Sequence, residues 1–238
     1  MCSGFFTPAI AGVFFIAHKV LALPIGMIGK SVGNVFFASA ASAKNDGEVN
    51  LIVEQTYRYL TYMGMPFTLL LIYTSPFLFP LVFGENWRLA GTFAQWMAPW
   101  MLLTFTISPL STVYSVSEKQ VHELGMQAMQ IITRVIAILI GALFEDFIFA
   151  LALFSLASCL HYLTVLIFVC KFSGAPIARL LRITTNAGLL AFCATLPVAL
   201  LSAGFISTNL VPLVCFVILS IILLCLYFYP LIRNLYSQ

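Results

Sequence analysis

Apolar runs long enough to cross a lipid bilayer follow one another along nearly the whole chain. A helix needs about 20 apolar residues to span the hydrocarbon core, so runs of this length predict transmembrane helices. They cover residues 10–37, 59–83, 90–113, 126–144, 147–169, 187–205 and 210–232. Residues 44–58 are polar and amphipathic, which predicts a helix along the membrane surface. The pattern therefore predicts an all-α membrane protein with about seven transmembrane helices.

The composition excludes an ordinary soluble domain. Of the 238 residues, 62% are hydrophobic and 8% are charged, whereas about a quarter of the residues of a soluble domain are charged. The basic residues form no stripe that could neutralise the phosphates of a nucleic acid, so we expect no nucleic-acid partner. The six cysteines contain no CxxC pair. We interpret them as small apolar residues and expect neither a metal site nor a cofactor.

Charges between the apolar runs predict the orientation of the chain. On one side the loops carry Lys44, Arg58, Lys119, Lys171, Arg179, Arg182 and Arg233. On the other side they carry Glu85, Arg88, Glu145 and Asp146. Cytoplasmic loops are enriched in Lys and Arg, so we predict a cytoplasmic C-terminus and an N-terminus outside. The odd number of runs and the absence of a signal peptide suggest that the chain begins inside a longer protein.

The first apolar run contains polar residues that a helix surrounded by lipid would not need. Lys19, Gly26, Lys30 and Gly33 share one helix face, because spacings of 7, 4 and 3 residues are close to whole turns. A lysine near the middle of a membrane helix costs roughly 2.5–3.5 kcal/mol, so such cations usually face a cavity or a partner. Pro24 predicts a bend. We interpret this run as a bent helix with a polar inner face, although the lysines could instead snorkel towards the membrane surfaces.

The fourth apolar run places an arginine and two glutamines on one helix face. Gln127, Gln130, Arg134 and Gly141 recur at spacings of 3, 4 and 7 residues, which aligns them along one side of a helix. Arg134 has two interpretations. Its guanidinium could face a polar cavity and bind phosphate or sugar hydroxyl groups. Alternatively, it is a structural arginine held between helices by backbone carbonyl groups.

The chain lacks the residue patterns of a catalytic centre. His18 and His161 have no neighbours at metal-ligand spacing and are interpreted as packed residues. The predicted spans contain no Asp or Glu, no Ser/His/Asp arrangement is evident, and no glycine-rich phosphate loop occurs. We therefore expect no enzymatic activity.

Four stretches of the sequence resemble one family of transporters. They read HKVLALPIGMIGKSVGNVFFASAA (18–41), TYRYLTYMGMP (56–66), FPLVFGENWRLAG (79–91) and SPLSTVYSVSEKQ (108–120). The first three are similar to polysaccharide flippases of the Wzx type and to lipid II flippases. The fourth, with the Gln/Arg face after it, resembles the O-antigen and lipopolysaccharide-biosynthesis branch of the multidrug/oligosaccharidyl-lipid/polysaccharide exporters. The sequence departs from the family at Lys19, where arginine is commoner, and at Lys30, where glutamine is frequent.

This resemblance implies a fold, a substrate and a location. Family members have two pseudosymmetric six-helix lobes, often with two further helices, around a cavity that opens alternately to each side. By that template, residues 1–171 are the C-terminal lobe without its first helix, and residues 172–238 are the two further helices. The implied substrate is an undecaprenyl-pyrophosphate-linked oligosaccharide, carried across the bacterial inner membrane. The implied partners are this substrate, membrane lipids and a separately encoded N-terminal lobe.

The resemblance also implies which residues contact the substrate. Arg58 stands eight residues before Pro66, where lipid II flippases have a cavity arginine thought to contact the pyrophosphate. Together with the cations and amides described above, this gives a predicted substrate-binding set of Arg58, Arg134, Lys19, Gln130, Gln127 and Lys30.

Two other functions are compatible with the sequence. A drug/cation antiporter of the same superfamily would need a carboxylate within the membrane, but the charged residues of the predicted spans are basic. A non-transporting remnant or assembly subunit is also compatible, because half of a two-lobe transporter lacks one wall of its cavity. The basic charges favour the flippase over the antiporter.

The loop charges give a prediction about topology. Alkaline phosphatase, which is active only outside the cytoplasm, should be active when fused after Glu85 and inactive when fused after Gln120. The opposite pattern of activity would reject the predicted orientation.

Overall fold

The structure consists of helices joined by short turns. The computed structural model describes residues 8–44 and 47–202, together with Tyr227. Its helices are α1 (Pro8–Ala43), α2 (Val49–Phe83), α3 (Arg88–Ile107), α4 (Val113–Val116), α5 (Gln120–Leu143), α6 (Phe147–Ser173) and α7 (Ile177–Ser202). Two 3-10 turns, Glu85–Trp87 and Pro109–Thr112, precede α3 and α4. The described residues contain no strand, and the predicted all-α class is confirmed.

Five of the described helices are long and apolar enough to cross a membrane. They are α1, α2, α5, α6 and α7, the last over Ile177–Leu200. The predicted span at 210–232 lies outside the described residues, apart from Tyr227. Within its described part, the chain is therefore a multi-pass membrane protein, as the hydrophobic pattern predicted.

The second helix differs from its prediction. The stretch expected to lie on the membrane surface continues directly into the second span, giving one helix of 35 residues that is about 52 Å long. Val53 and Tyr57 of this stretch are buried, and the Tyr57 hydroxyl shares a hydrogen bond of 2.8 Å with Thr184 of α7. The stretch is helical from Val49 on, as predicted, but it forms one helix with the second span and its buried side packs against other helices.

The third predicted span ends earlier than its apolar run. α3 stops at Ile107 and Pro109 opens a 3-10 turn, although hydrophobic residues continue to Val113. Proline has no amide hydrogen to donate and disfavours helical geometry in the residue before it. The resulting turn lets the chain pass from α3 to α5 within the bundle.

The middle of α2 contains three prolines, Pro66, Pro76 and Pro80, and two of the carbonyl groups that they free have side-chain partners. Pro76 cannot donate to the Ile72 carbonyl four residues earlier, and Gln95 Nε2 donates to that oxygen at 2.8 Å. Pro66 frees the Tyr62 carbonyl in the same way, and Tyr227 OH donates to it at 2.8 Å. Since lipid offers no hydrogen-bond partners, these two side chains stabilise α2 at its prolines.

Helix α2 packs against α3 and α7, while α5 packs mainly on α6. Two groups of buried residues form the core. One joins α1, α2, α4, α6 and α7 around Phe36, Tyr57, Tyr114, Val169 and Leu180. The other joins α1, α2, α3 and α6 around Leu21, Phe79, Phe93, Trp100 and Leu151. The cores lie at the two ends of the bundle, and α1, α2 and α6 contribute to both.

Polar contacts hold the turns between helices. Asp146 caps α6 by accepting hydrogen bonds from the amides of Ile148 and Phe149 at 2.8 and 3.1 Å. Lys44 Nζ donates to a carboxylate oxygen of Glu118 at 3.0 Å, which links the end of α1 to the turn before α5. This hydrogen bond and the lysine charge lower the pKa of the Glu118 carboxyl.

The contact between Gln95 and the Ile72 carbonyl gives a testable prediction. Gln95→Leu should lower the free energy of unfolding by about 1–3 kcal/mol, because the partly buried Ile72 carbonyl group loses its side-chain donor. In a Pro76→Ala background the same substitution should cost much less, since the new amide of residue 76 can donate to Ile72. Unfolding in mixed micelles measures both values. Pro80→Ala is the matched control and should give no such rescue; equal costs in all three backgrounds would contradict the explanation.

Candidate functional site

The exposed face of α1 carries two lysines. Lys19 and Lys30 are exposed, as is Gly26 between them, and neither lysine forms a salt bridge within the described part of the chain. Lys19 Nζ lies 5.3 Å from the centre of the Phe15 ring on the same helix. Gly33 was expected on this face too, but it is buried, and a Cβ there would lie 3.8 Å from Pro109 Cα. Its helix position falls at the edge of the stripe, where α1 meets the turn after α3.

Arg58 lies in a charged cluster near the start of α2. It is half-exposed and donates to Glu54 at 3.3 Å, while Arg179 of α7 donates to the same carboxylate at 3.2 Å. Because one carboxylate faces two guanidinium groups, the cluster keeps a net positive charge. Sequence reasoning missed Glu54 as a partner because it assigned this stretch to the membrane surface.

Arg134 lies where α3, α5 and α6 meet. Its Nε donates to Ser158 Oγ at 3.0 Å, and its guanidinium carbon lies 5.2 Å from the Trp100 ring centre and 4.8 Å from that of Phe154. His18 of α1 stacks on the same Trp100 ring at 5.9 Å. The guanidinium is therefore held by two aromatic faces and a hydroxyl group, a common setting for a cation in a partly apolar environment.

The two glutamines of the α5 stripe line a polar cavity of about 260 Å³. Its other polar lining residues are Ser108, Ser111, Tyr114, Glu123, His161 and Tyr162. At the far end of the stripe, Gly141 packs directly against the Ala150 backbone, leaving no room for a side chain. The stripe therefore faces α6 along its length, with a cavity at one end and close helix packing at the other.

Two further cavities lie beside α1. A hydroxyl-rich cavity of about 380 Å³ between α1 and α2 includes Ser31, Ser39, Gln55, Thr56 and Tyr59. An apolar cavity of about 570 Å³ is enclosed by α1, α2 and α3. None of the linings of these three cavities includes Arg58, Arg134 or Lys19. Among the described residues, the structure brings Gln127 and Gln130 to one cavity, while the cations occupy separate environments.

The helices contain two carboxylates that the hydrophobic runs excluded. Glu54 lies in α2 and Glu123 in the first turn of α5, since both helices extend beyond their apolar runs. Both residues precede the apolar runs of their helices, so the predicted spans themselves hold no Asp or Glu. Among the described residues, no group of three His, Cys, Asp or Glu side chains is placed to bind a metal ion.

The aromatic environment of Arg134 gives a testable prediction. In a double-mutant cycle, Arg134→Leu and Trp100→Leu should be coupled by about 1–2 kcal/mol in unfolding free energy, because removing either ring or cation abolishes the same contact. The exposed pair Lys19 and Phe15 is the matched control, and its coupling should be about 0.5 kcal/mol. Additive effects of the Arg134 and Trp100 substitutions would show that the ring does not stabilise the cation.

Comparisons with known proteins agree with the resemblance that the sequence motifs indicated. Residues 3–91 match a family described as polysaccharide biosynthesis protein. No curated protein matches the chain. Among solved structures, the fold is similar to lipid II flippase MurJ in its inward closed conformation, with a TM-score of 0.68 and 17% sequence identity. The similarity covers 93% of this chain and 48% of the MurJ chain, so the chain spans about half the length of that relative. The predicted resemblance is confirmed: the chain is similar to polysaccharide biosynthesis proteins over residues 3–91, and its fold is similar to that of about half of a lipid II flippase.

Proposed function

We propose that this chain is the C-terminal part of a flippase for undecaprenyl-pyrophosphate-linked oligosaccharides, such as precursors of O-antigen or other lipopolysaccharide. In this proposal, residues 1–171 form an incomplete C-terminal lobe and residues 172–238 form two additional helices. An N-terminal lobe, encoded separately or within a longer chain, completes the cavity. The N-terminus lies outside the bacterial inner membrane and the C-terminus in the cytoplasm.

The observation that carries the proposal is the exposed, cationic face of α1. Helix α1 has 36 residues and is about 54 Å long, whereas the hydrocarbon core is about 30 Å thick. If the helix is centred in the bilayer, Lys19 lies about 10 Å to one side of the midplane and Lys30 about 7 Å to the other. Two lysines at this depth favour a hydrated cavity with an anionic ligand over contact with lipid.

Each predicted site residue has a role in this proposal. Lys19, Lys30 and Arg58 supply positive charge to the pyrophosphate at successive stages of transport. Arg134, already held by aromatic rings, fixes the α5–α6 wall through its bond to Ser158 and adds to the positive potential. Gln127 and Gln130 bind hydroxyl groups of the sugar. The two lobes rock about the bound headgroup, which exposes it to each side in turn.

A drug/cation antiporter is the second candidate, and Glu123 is the observation that favours it. This carboxylate lines the polar cavity beside α5, and proton or cation exchange would depend on it in this alternative. The exposed lysines of α1 argue against it, because they would repel a cationic drug. Export of a cationic dye that depends on Glu123 and not on Lys19 would support the antiporter instead.

The lysines and Arg58 give a prediction about substrate binding. In the complete transporter, Lys30→Ala or Arg58→Ala should weaken binding of undecaprenyl pyrophosphate by about 10- to 150-fold, the range expected for a lost charge-assisted hydrogen bond of 1.5–3 kcal/mol. Arg58→Lys should retain part of the affinity, because it keeps the charge but loses the planar fork of arginine. Binding can be measured in nanodiscs with a labelled lipid.

Lys171→Ala is the matched control, since Lys171 lies in the last turn of α6 and should not affect binding. Protein abundance must be measured for each variant, because loss of the Arg58–Glu54 pair could lower stability alone. Wild-type affinity in a Lys19→Ala/Lys30→Ala double variant at normal abundance would remove the α1 face from the site and refute the proposal.

A further inference from the structure

The polar cavity between α5 and α6 contains side-chain atoms that are buried without a hydrogen-bond partner. They are Tyr114 OH, Gln130 Nε2 and His161 Nδ1, and all three residues line the cavity of about 260 Å³. Tyr114 is 0% exposed and His161 is 5% exposed. Buried polar groups in proteins nearly always have a partner. Three orphaned groups on one cavity wall therefore point to a bound polar molecule.

The chemistry of the lining restricts what that molecule can be. Gln130 Nε2 can only donate a hydrogen bond, Tyr114 OH can donate or accept, and the role of His161 Nδ1 depends on its tautomer. Glu123 adds a carboxylate, which accepts hydrogen bonds and, when ionised, would repel a phosphate bound in the same cavity. The lining thus suits a neutral molecule with several hydroxyl groups, each able to donate and accept.

The volume of the cavity and its mixed polar and apolar lining agree with a single sugar ring. Its volume lies just below the usual range for sites of drug-sized ligands, so an oligosaccharide would not fit as a whole. Tyr162 also lines it, and Met126, Ile131 and Val165 add apolar side chains to the polar groups. An apolar contact combined with a few fixed polar groups is the general design of small-molecule sites.

We propose that this cavity binds one neutral sugar residue of the lipid-linked glycan, with Glu123, Gln127, Gln130, Tyr114 and His161 contacting its hydroxyl groups. The proposal rests on the proposed function, because the sugar is taken to be the part of the substrate that follows the pyrophosphate. It separates two recognition tasks within the lobe. The α1 lysines respond to charge, which every such substrate shares, and the cavity responds to the arrangement of hydroxyl groups, which differs between glycans.

Tyr114→Phe provides a test that separates binding from structural support. The substitution removes only an oxygen atom that has no hydrogen-bond partner among the residues the structure describes, so unfolding stability should stay the same or rise. Sugar binding should weaken about three- to tenfold, which corresponds to one lost neutral hydrogen bond. The probes are the methyl glycosides of glucose, galactose and N-acetylglucosamine. Saturation-transfer NMR of the chain in nanodiscs, free of sugar-based detergent, measures their affinity.

Tyr57→Phe is the matched control, because Tyr57 is equally buried and its hydroxyl is bonded to Thr184 at 2.8 Å. That variant should lose stability and keep its affinity for the sugar. A second variant, Glu123→Gln, should also weaken binding, since an amide replaces one strong acceptor by a donor. Glu145→Gln, in the turn after α5, should not change it.

The outcomes of these binding experiments test the sugar site independently of the proposed flippase function. If no glycoside binds, or if Tyr114→Phe binds as tightly as the wild type, the cavity holds only water and the proposal is overturned. If a glycoside binds and Tyr114→Phe weakens it without loss of stability, the site is established by binding alone. In that case, failure of the complete transporter to move lipid-linked sugars would refute the proposed function and leave the sugar site standing.

Discussion

The described helices depend on one constraint: inside a bilayer, each backbone carbonyl group must find its partner within the protein. Helix α2 tests this constraint most severely, because it contains three prolines. The Ile72 carbonyl freed by Pro76 accepts from Gln95, and the Tyr62 carbonyl freed by Pro66 accepts from Tyr227. The prolines thus create specific attachment points on α2, one for Gln95 of α3 and one for the Tyr227 side chain. Gly91 allows α3 to approach α2 closely beside Pro76, since a side chain there would collide with the Ser75 backbone.

The charges of the basic residues are compensated to different degrees by their surroundings. Arg58 shares a carboxylate with Arg179, Arg134 lies against two aromatic rings and Ser158, and Lys30 is exposed without an ion pair among the described residues. A cation that is already paired or stacked has its charge partly satisfied, whereas an open cation still attracts an anion. Lys19 is intermediate, since its ammonium group lies over the Phe15 ring. Under the proposed function, this difference, which sequence reasoning could not supply, ranks Lys30 first as a contact for a pyrophosphate.

The hydrophobic pattern alone predicted the helical class and most of the spans, because the thickness of the membrane sets the length of the apolar run that a spanning helix needs. It failed where tertiary contacts decide the outcome. The polar stretch before residue 59 was read as a surface helix, but Tyr57 and Val53 are buried by neighbouring helices. The end of α3 could have been found from the sequence, since Ser108–Pro109 is a helix-stopping pair. The resemblance named the correct fold because its motifs fall in α1, α2 and the turn after α3.

The candidate site was only partly predictable, for a reason that lies in helix geometry. Spacing identifies residues that share one face of one helix, so Gln127 and Gln130 were found together. Tyr114 and His161 come from other elements and join them only after α4 and α6 fold against α5. Periodicity within a single helix carries no information about such neighbours. Glu123 was missed for a simpler reason, because it lies in the first turn of α5, before the apolar run begins.

The separation of charged and hydroxylated surfaces has a consequence for how the proposed transporter would choose its substrate. Attraction between lysines and a pyrophosphate is long-ranged and insensitive to the attached sugar, so it can retain any lipid-linked glycan. Hydrogen bonds to individual hydroxyl groups are short-ranged, and a buried polar wall discriminates strongly against a ligand that leaves it unpaired. Under the proposed function, changes confined to the cavity around Tyr114 would therefore alter which glycan is carried, whereas changes on the α1 face would alter transport of all of them. A flippase lineage could in this way acquire new sugars while it keeps its lipid carrier.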